Sequence, residues 1–169
     1  MQEEFFADPA NHKAQYLGFR IGADDYAIDI LRVQEIRGWE KVRTLPDSRD
    51  FVKGVLDMRG TIVPIIDLRI RFGSPEPDYS ATTVVIVVAV DKGGESKQLV
   101  GAIVDSVSDV LDVDATDLKP PPQICHSVNR HYLDGMVSLE RGMVVLLNLD
   151  ELFGSLDLDD LTDGEGARQ

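Results

Sequence analysis

Twenty residues near the end of this chain repeat twenty residues from its middle. Gly135–Gly154 (GMVSLERGMVVLLNLDELFG) lies under Gly54–Gly73 (GVLDMRGTIVPIIDLRIRFG) without a gap, at an offset of 81. Gly54 meets Gly135, Ile65-Ile66 meets Leu146-Leu147, Asp67-Leu68 meets Asn148-Leu149, and Phe72-Gly73 meets Phe153-Gly154. A weaker echo precedes the match, since VQEI at Val33–Ile36 resembles VSDV at Val107–Val110. Self-similarity of this kind marks a fold assembled from like units. With several short strands in each half, the expected architecture is all-β: two like five-stranded β-barrels, packed around a shared core, with short helical turns.

The first copy carries the more legible hairpin. Val55 to Met58 enters a tight turn at Arg59-Gly60, and Thr61 to Leu68, rich in β-branched residues, leaves it. Gly60 takes a positive φ without steric cost. Pro64 has no N–H for a sheet ladder, so its N side should face an edge or a bulge. Leu68 to Phe72 is expected to turn helical and to stop at Gly73. The second copy has Glu140-Arg141-Gly142 at its turn and Val145 in place of the proline. Only the first hairpin therefore carries the edge-protecting proline together with a tip arginine at Arg59, for which the bland alternative is a solvated turn residue.

Elsewhere the pattern is again that of strands. Gln15 to Ile21 alternates, with Leu17, Phe19 and Ile21 on one face and Tyr16, Gly18 and Arg20 on the other. A turn at Gly22–Asp25 leads into a strand from Tyr26 to Ile30. A short turn at Ile30–Arg32 then precedes a strand from Val33, in which Val33 and Glu35 should share one face and Gln34 and Ile36 the other. Asp47 or Ser48 could cap a short helix ahead of Phe51, and Asn129 to Leu133 reads as a helical turn. Thr82 to Val90 is almost wholly apolar, as a strand buried on both faces would be. Asp91 to Lys97 is a hairpin loop, and Ser74 to Ser80 and Pro120–Pro122 are stiff spacers. Residues 1–14 read as a flexible leader, 15–153 as one domain of two intertwined β-barrel subdomains, and 154–169 as an acidic flexible tail.

Charge and composition narrow the function. A formal net charge of -13 opposes a basic footprint on nucleic acid or anionic membrane. The single Cys125 leaves no internal disulfide framework and suits a reducing compartment. No apolar run has the length of a membrane helix, and Met1-Gln2-Glu3-Glu4 lacks the basic start of a signal peptide. The expectation is a cytoplasmic protein with no direct membrane insertion.

The residues that carry chemistry are missing as patterns. There is no phosphate-binding loop of the GxxxxGK type. His12, His126 and His131 have no metal-ligand spacing. The acidic run Asp105, Asp109, Asp112, Asp114 lacks the glycine and spacing of a calcium loop and reads as a solvated face. Ser127 and Ser138 have no nucleophile-elbow context. The expectation is therefore a non-enzymatic binding protein that needs no cofactor and no metal.

Several stretches together resemble the CheW family of chemotaxis coupling proteins. They are YAIDILRVQEIRG (Tyr26–Gly38), FVKGVLDMRGTIVPIIDLR (Phe51–Arg69), TVVIV (Thr83–Val87), VGAIVDSVSDVL (Val100–Leu111) and YLDG (Tyr132–Gly135). The resemblance spans about residues 15 to 153. It implies two SH3-like barrels and an adaptor linking the cytoplasmic tips of methyl-accepting chemoreceptors to the regulatory domain of the histidine kinase CheA. It also implies further copies of the coupling protein in rings, at membrane-associated receptor arrays. By motif, Val33, Glu35, Gly54 and Arg59 fall at positions the family uses for receptor contact or signalling. Val84, Gly101 and Val110 match positions linked to receptor docking and groove shape, with Gly101 expected to keep the groove between the barrels open. The Asp91–Lys97 loop is longer than is usual in the family, and Gln123–Arg130 diverges from it. Two alternatives stay open at this point: an adaptor of a parallel array controlling pili, biofilm or development, and an unrelated small β-barrel binding module.

Overall fold

The computed structural model describes residues 13–39, 51–73, 77–91, 97–120, 132–140 and 142–154. Ten strands order the chain. They are β1 (Lys13–Ile21), β2 (Asp24–Asp29), β3 (Val33–Gly38), β4 (Val52–Met58), β5 (Thr61–Asp67), β6 (Val84–Asp91), β7 (Lys97–Val104), β8 (Ser106–Asp114), β9 (Leu133–Leu139) and β10 (Gly142–Leu147). Two short helices, α1 (Leu68–Arg71) and α2 (Leu149–Gly154), follow β5 and β10. A 3-10 turn at Ile30–Arg32 joins β2 to β3.

The strands form two five-stranded mixed sheets, in the orders β8-β1-β2-β10-β9 and β3-β6-β7-β5-β4. The offset of the repeat makes β4, β5 and α1 the counterparts of β9, β10 and α2. Carried through the chain, β1, β2 and β3 correspond to β6, β7 and β8. The two sheet orders then become the same order, with the same sequence of antiparallel and parallel pairings. Neither sheet is built from one half. The first takes β1 and β2 from the first half and β8 to β10 from the second; the other takes β3 to β5 and β6–β7. The halves exchange their leading hairpins.

Even the irregularities repeat. In β3 the register slips between Val33 and Glu35, and in β8 it slips at the matching place opposite Gly18. The slip between Val52 and Gly54 in β4 recurs in β9, where Leu146 pairs with Gly135 and Leu147 with Leu133. The helices are capped alike: Asp67 accepts from the Arg69 amide and Asn148 from the Glu151 amide, both at 3.0 Å. The amides of Asp67 and Asn148 donate to the carbonyls of Phe51 and Tyr132, 81 residues apart, each at 2.7 Å. Between those two rings sits the guanidinium of Arg71, 5.6 and 5.2 Å from the centroids.

Each sheet has an inner apolar cluster of its own. Ala27, Leu111, Val137 and Leu146 belong to one, and Val63, Ile65, Val85 and Val87 to the other. The largest cluster lies between the sheets and draws on both, with Phe19, Ile28 and Phe153 against Ile66, Ile86 and Val104. Most of the buried apolar surface is thus at the seam, so the two sheets stabilise each other.

Several expectations are met locally. Leu17, Phe19 and Ile21 are buried on one face, the 3-10 turn stands at Ile30–Arg32, β6 is buried along most of its length, and Gly73 ends the turn after α1 at φ 108°. Pro64 pairs with Val55 and lies one residue ahead of the parallel β5–β7 ladder, which starts at Ile65. β1 begins at Lys13, two residues early, because Lys13 and Ala14 pair with Asp114 and Val113. The acidic run, for which no strand was expected, is the nine-residue β8. The helix cap at Asp47 or Ser48, the Asn129 turn, the interior of the Asp91–Lys97 loop, the Gln123–Arg130 stretch with Cys125, most of the leader and nearly all of the tail lie outside the described residues.

Candidate functional site

The turn at Arg59-Gly60 is two residues long, with Met58 opposite Thr61. Both turn residues have positive φ, 56° for Arg59 and 89° for Gly60. That is the mirror-image turn whose twist matches the flanking strands, and it favours Asn or Gly at both places. Among the described residues, Arg59 is the one non-glycine with positive φ. The Asp57 carboxylate accepts from the Gly60 amide at 2.9 Å and stiffens the turn. The Arg59 side chain is exposed.

Behind the tip, one register row crosses the whole second sheet. Glu35 pairs with Val87, Val87 with Gly101, Gly101 with Ile65, and Ile65 with Gly54. Three of the seven candidate residues are therefore in line, on the face that carries the inner cluster. Gly54 sits beside the β4 bulge with φ 149°, which a side chain would strain. Gly101 is buried, and a Cβ there would come 2.5 Å from Ile65 Cδ1 and 2.9 Å from Val85 Cγ1. It permits close packing inside the second sheet; the expected groove-opening role is not what its surroundings show.

Val33 and Glu35 do not share a face. The bulge at Gln34 sets Val33 opposite Val88 and Glu35 opposite Val87, which are adjacent residues of β6 with opposite orientations. Val33 packs on the seam cluster, while Glu35 stands 3.8 Å from Arg37 at the edge of the other face. Alternation within a strand holds only where the ladder is unbroken. Val84 is half-buried against the seam cluster, between Gly38 and Val104. Val110 alone belongs to the first sheet; it is 49% exposed on β8 and corresponds to Ile36, 45% exposed on β3. Ile62 and Met143 form a second exposed apolar pair at the repeat offset.

Two ionic clusters were not anticipated. Arg69 and Asp67 are fully buried; Nε and Nη2 of Arg69 each donate to Asp67 at 2.9 Å, and Tyr79 Oη donates to the same carboxylate at 2.7 Å. Arg69 Nη1 reaches Asp105 at 2.9 Å, whose other oxygen accepts from the Gly22 amide at 2.7 Å. Asp105 thus ties the β1–β2 turn of the first sheet to α1 beside the second, and is not the solvated carboxylate its acidic neighbourhood implied. Burial opposes the charge on Arg69, but its bonds to Asp67 and Asp105 outweigh it and raise the pKa. Burial, then the bond to Asp67, pushes the Tyr79 hydroxyl above the ordinary tyrosine value. The guanidinium of Arg69 also lies 4.7 Å above the Tyr79 ring. An open cleft of about 720 Å³ sits beside this cluster, lined by Ile21, Tyr26, Phe72 and Asp78 among others, and by none of the seven candidates. In the second cluster Asp150 of α2 pairs with Arg32. Asp67 and Arg69 stand two residues apart, but Asp105 is 36 residues from Arg69 and Asp150 is 118 from Arg32, so no local signal marks the links that tie these clusters across the fold. No group of His, Cys, Asp or Glu among the described residues could hold a metal, and no helix among them is long and apolar enough to cross a membrane.

A CheW-like domain model matches residues 15–157. The chain is 40% identical over 144 residues to the chemotaxis protein CheW of Klebsiella aerogenes, covering 85% of this chain and 84% of that protein. It is 33% identical to the chemotaxis protein CheW of Rhizobium meliloti, over 86% and 90% of the two chains. The crystal structure of the scaffolding protein TtCheW from Thermoanaerobacter tengcongensis superposes with a TM-score of 0.74 at 27% identity, covering 84% of this chain and 93% of that one.

Proposed function

Because the chain belongs to the CheW family of chemotaxis scaffolding proteins, which are adaptors and not enzymes, we propose that it couples chemoreceptor tips to the kinase CheA. In this reading the helical hairpin of a methyl-accepting receptor docks in the groove between the two barrels, in the helix-in-groove mode. The regulatory domain of CheA and further copies of the adaptor pack barrel to barrel in rings, at the cytoplasmic side of the receptor array. Val33 and Val110 supply apolar contact, and Glu35 and Arg59 supply charge. Gly54, Val84 and Gly101 hold the framework from which the others project. The chemotaxis role of the curated relatives favours this over control of pili, biofilm or development.

The observation that carries the reading is Arg59. A turn that favours glycine or asparagine holds an arginine at φ 56° with its side chain in solvent. Positive φ in a residue with a Cβ costs on the order of 1 kcal/mol, and the exposed side chain recovers none of it by packing. A contact with a partner offsets that cost. In pull-downs with a receptor signalling-tip fragment and the CheA regulatory domain, the wild-type chain forms the ternary complex. Arg59→Glu keeps the fold and loses the receptor. A full complex from folded Arg59→Glu counts against Arg59 as the contact, and no complex from wild type counts against the adaptor reading.

A further inference from the structure

Asp150 joins three separate pieces of the molecule. Its two oxygens accept from Nη1 and Nη2 of Arg32 at 2.8 and 2.6 Å, and Oδ1 also accepts from the Asp91 amide at 2.8 Å. Arg32 Nη1 donates in addition to the Ala89 carbonyl at 2.9 Å. One carboxylate therefore ties α2 to the end of β6 and to the 3-10 turn that feeds β3. Apart from this fork the turn is held lightly. It contains no fully buried residue, Leu31 is 83% exposed, and Ile30 packs only partly buried against the seam cluster. Its ends are closed by one bond each, from the Leu31 amide to Asp29 at 3.0 Å and from the Val33 amide to the Ile30 carbonyl. The strand beyond it begins with a bulge. A bidentate fork fixes both distance and orientation, which a point contact does not.

The other half uses the same place for the same purpose. Arg69 is the counterpart of Asp150 at the repeat offset, and it holds Asp105 at the β7–β8 connection, which matches the β2–β3 connection. The ionic polarity is reversed while the architecture is kept.

We propose that Asp150 is a positioning residue for β3: by fixing Arg32 it sets where Val33 and Glu35 stand relative to the rest of the second sheet. The functional part of this rests on the adaptor reading of those two residues.

The test uses the full chain with Asp150→Asn, Arg32→Gln and the double variant, and a control, Val137→Ala, in the inner cluster of the first sheet. Amide hydrogen exchange is read over residues 31–36, and binding is measured to a receptor signalling-tip fragment. Losing a hydrogen bond to a charged group should speed exchange at 31–36 and weaken binding by roughly tenfold. The double variant should be no worse than either single one, because the two side chains act through each other. Unchanged exchange at 31–36, additive effects in the double variant, or a binding loss no larger than that of a control with matched thermal stability would each overturn the proposal. If wild type binds no receptor fragment, the adaptor reading falls, and the exchange data still decide the positioning role.

Discussion

Arg69 and Asp150 occupy the same position in the two halves of the chain and carry opposite charge. Each leaves the first turn of a short helix and grips the connection that leads into an edge strand, at Asp105 and at Arg32. The two grips differ in depth. Arg69 is 1% exposed and Asp67 beside it is fully covered, whereas Arg32 and Asp150 are about a quarter and a third exposed. Their energetic roles differ accordingly.

Arg69→Met should be the most damaging single change at these sites. It leaves the buried Asp67 carboxylate with no cation, at a cost of about 3–5 kcal/mol. Asp105→Asn should cost less, since Asp105 is 40% exposed and Arg69 keeps its fork to Asp67. Urea unfolding midpoints for the two variants check the order.

The Arg32–Asp150 pair should make stability fall in acid. The hydrogen bonds from Arg32 hold the Asp150 carboxyl below the ordinary aspartate value. The contribution is complete above the unfolded pKa of about 3.9, and it is lost as pH falls through the folded value. The stability gap between wild type and Asp150→Asn should be constant from about pH 7 to pH 5 and then close. A gap that persists below both values would show that the ion pair is not its source.

Gly101→Ala should overpack the second sheet and cost about 1–3 kcal/mol. The Cβ meets Ile65 Cδ1 first, so adding Ile65→Val, which removes that atom, should recover part of the loss. Thermal melting of the single and double variants measures the recovery. Full loss in the double variant would leave Val85 Cγ1, at 2.9 Å, as the obstacle.

Arg59→Gly should separate stability from coupling. Glycine relieves the positive φ, while its unfolded chain is more flexible, so the net change should lie within about 1 kcal/mol of wild type. Receptor coupling should drop as it does for Arg59→Glu. Retained coupling in Arg59→Gly would mean that the turn shape, and not the guanidinium, is what the partner reads.

What the sequence made legible was local. The hairpin at Arg59-Gly60, the 3-10 turn at Ile30–Arg32 and the alternation of Leu17, Phe19 and Ile21 rest on neighbours within a few residues. The repeat extended that reach to the architecture, because two matching hairpin-and-helix units require matching surroundings. What stayed hidden depends on partners far along the chain. The face of Glu35 follows from a bulge set by β6, some fifty residues on. The pairing of Asp105 follows from Arg69 and Gly22. The nine residues of β8 look like an acidic loop until β1 is laid beside them, when Leu111 and Val113 turn inward and Asp112 turns out to meet Gln15.

The exchange of hairpins between the halves has a consequence for symmetry. A polypeptide of half this length, with one set of strands, would leave its leading hairpin and its remaining three strands without partners. Two identical copies related by a twofold axis would complete each other with the same strand orders. The present chain has the strand arrangement of such a pair within one polypeptide, where the two halves need not be identical. One hairpin tip carries Arg59 while its counterpart carries Glu140. A symmetric pair would present the same face twice; this chain presents two different faces.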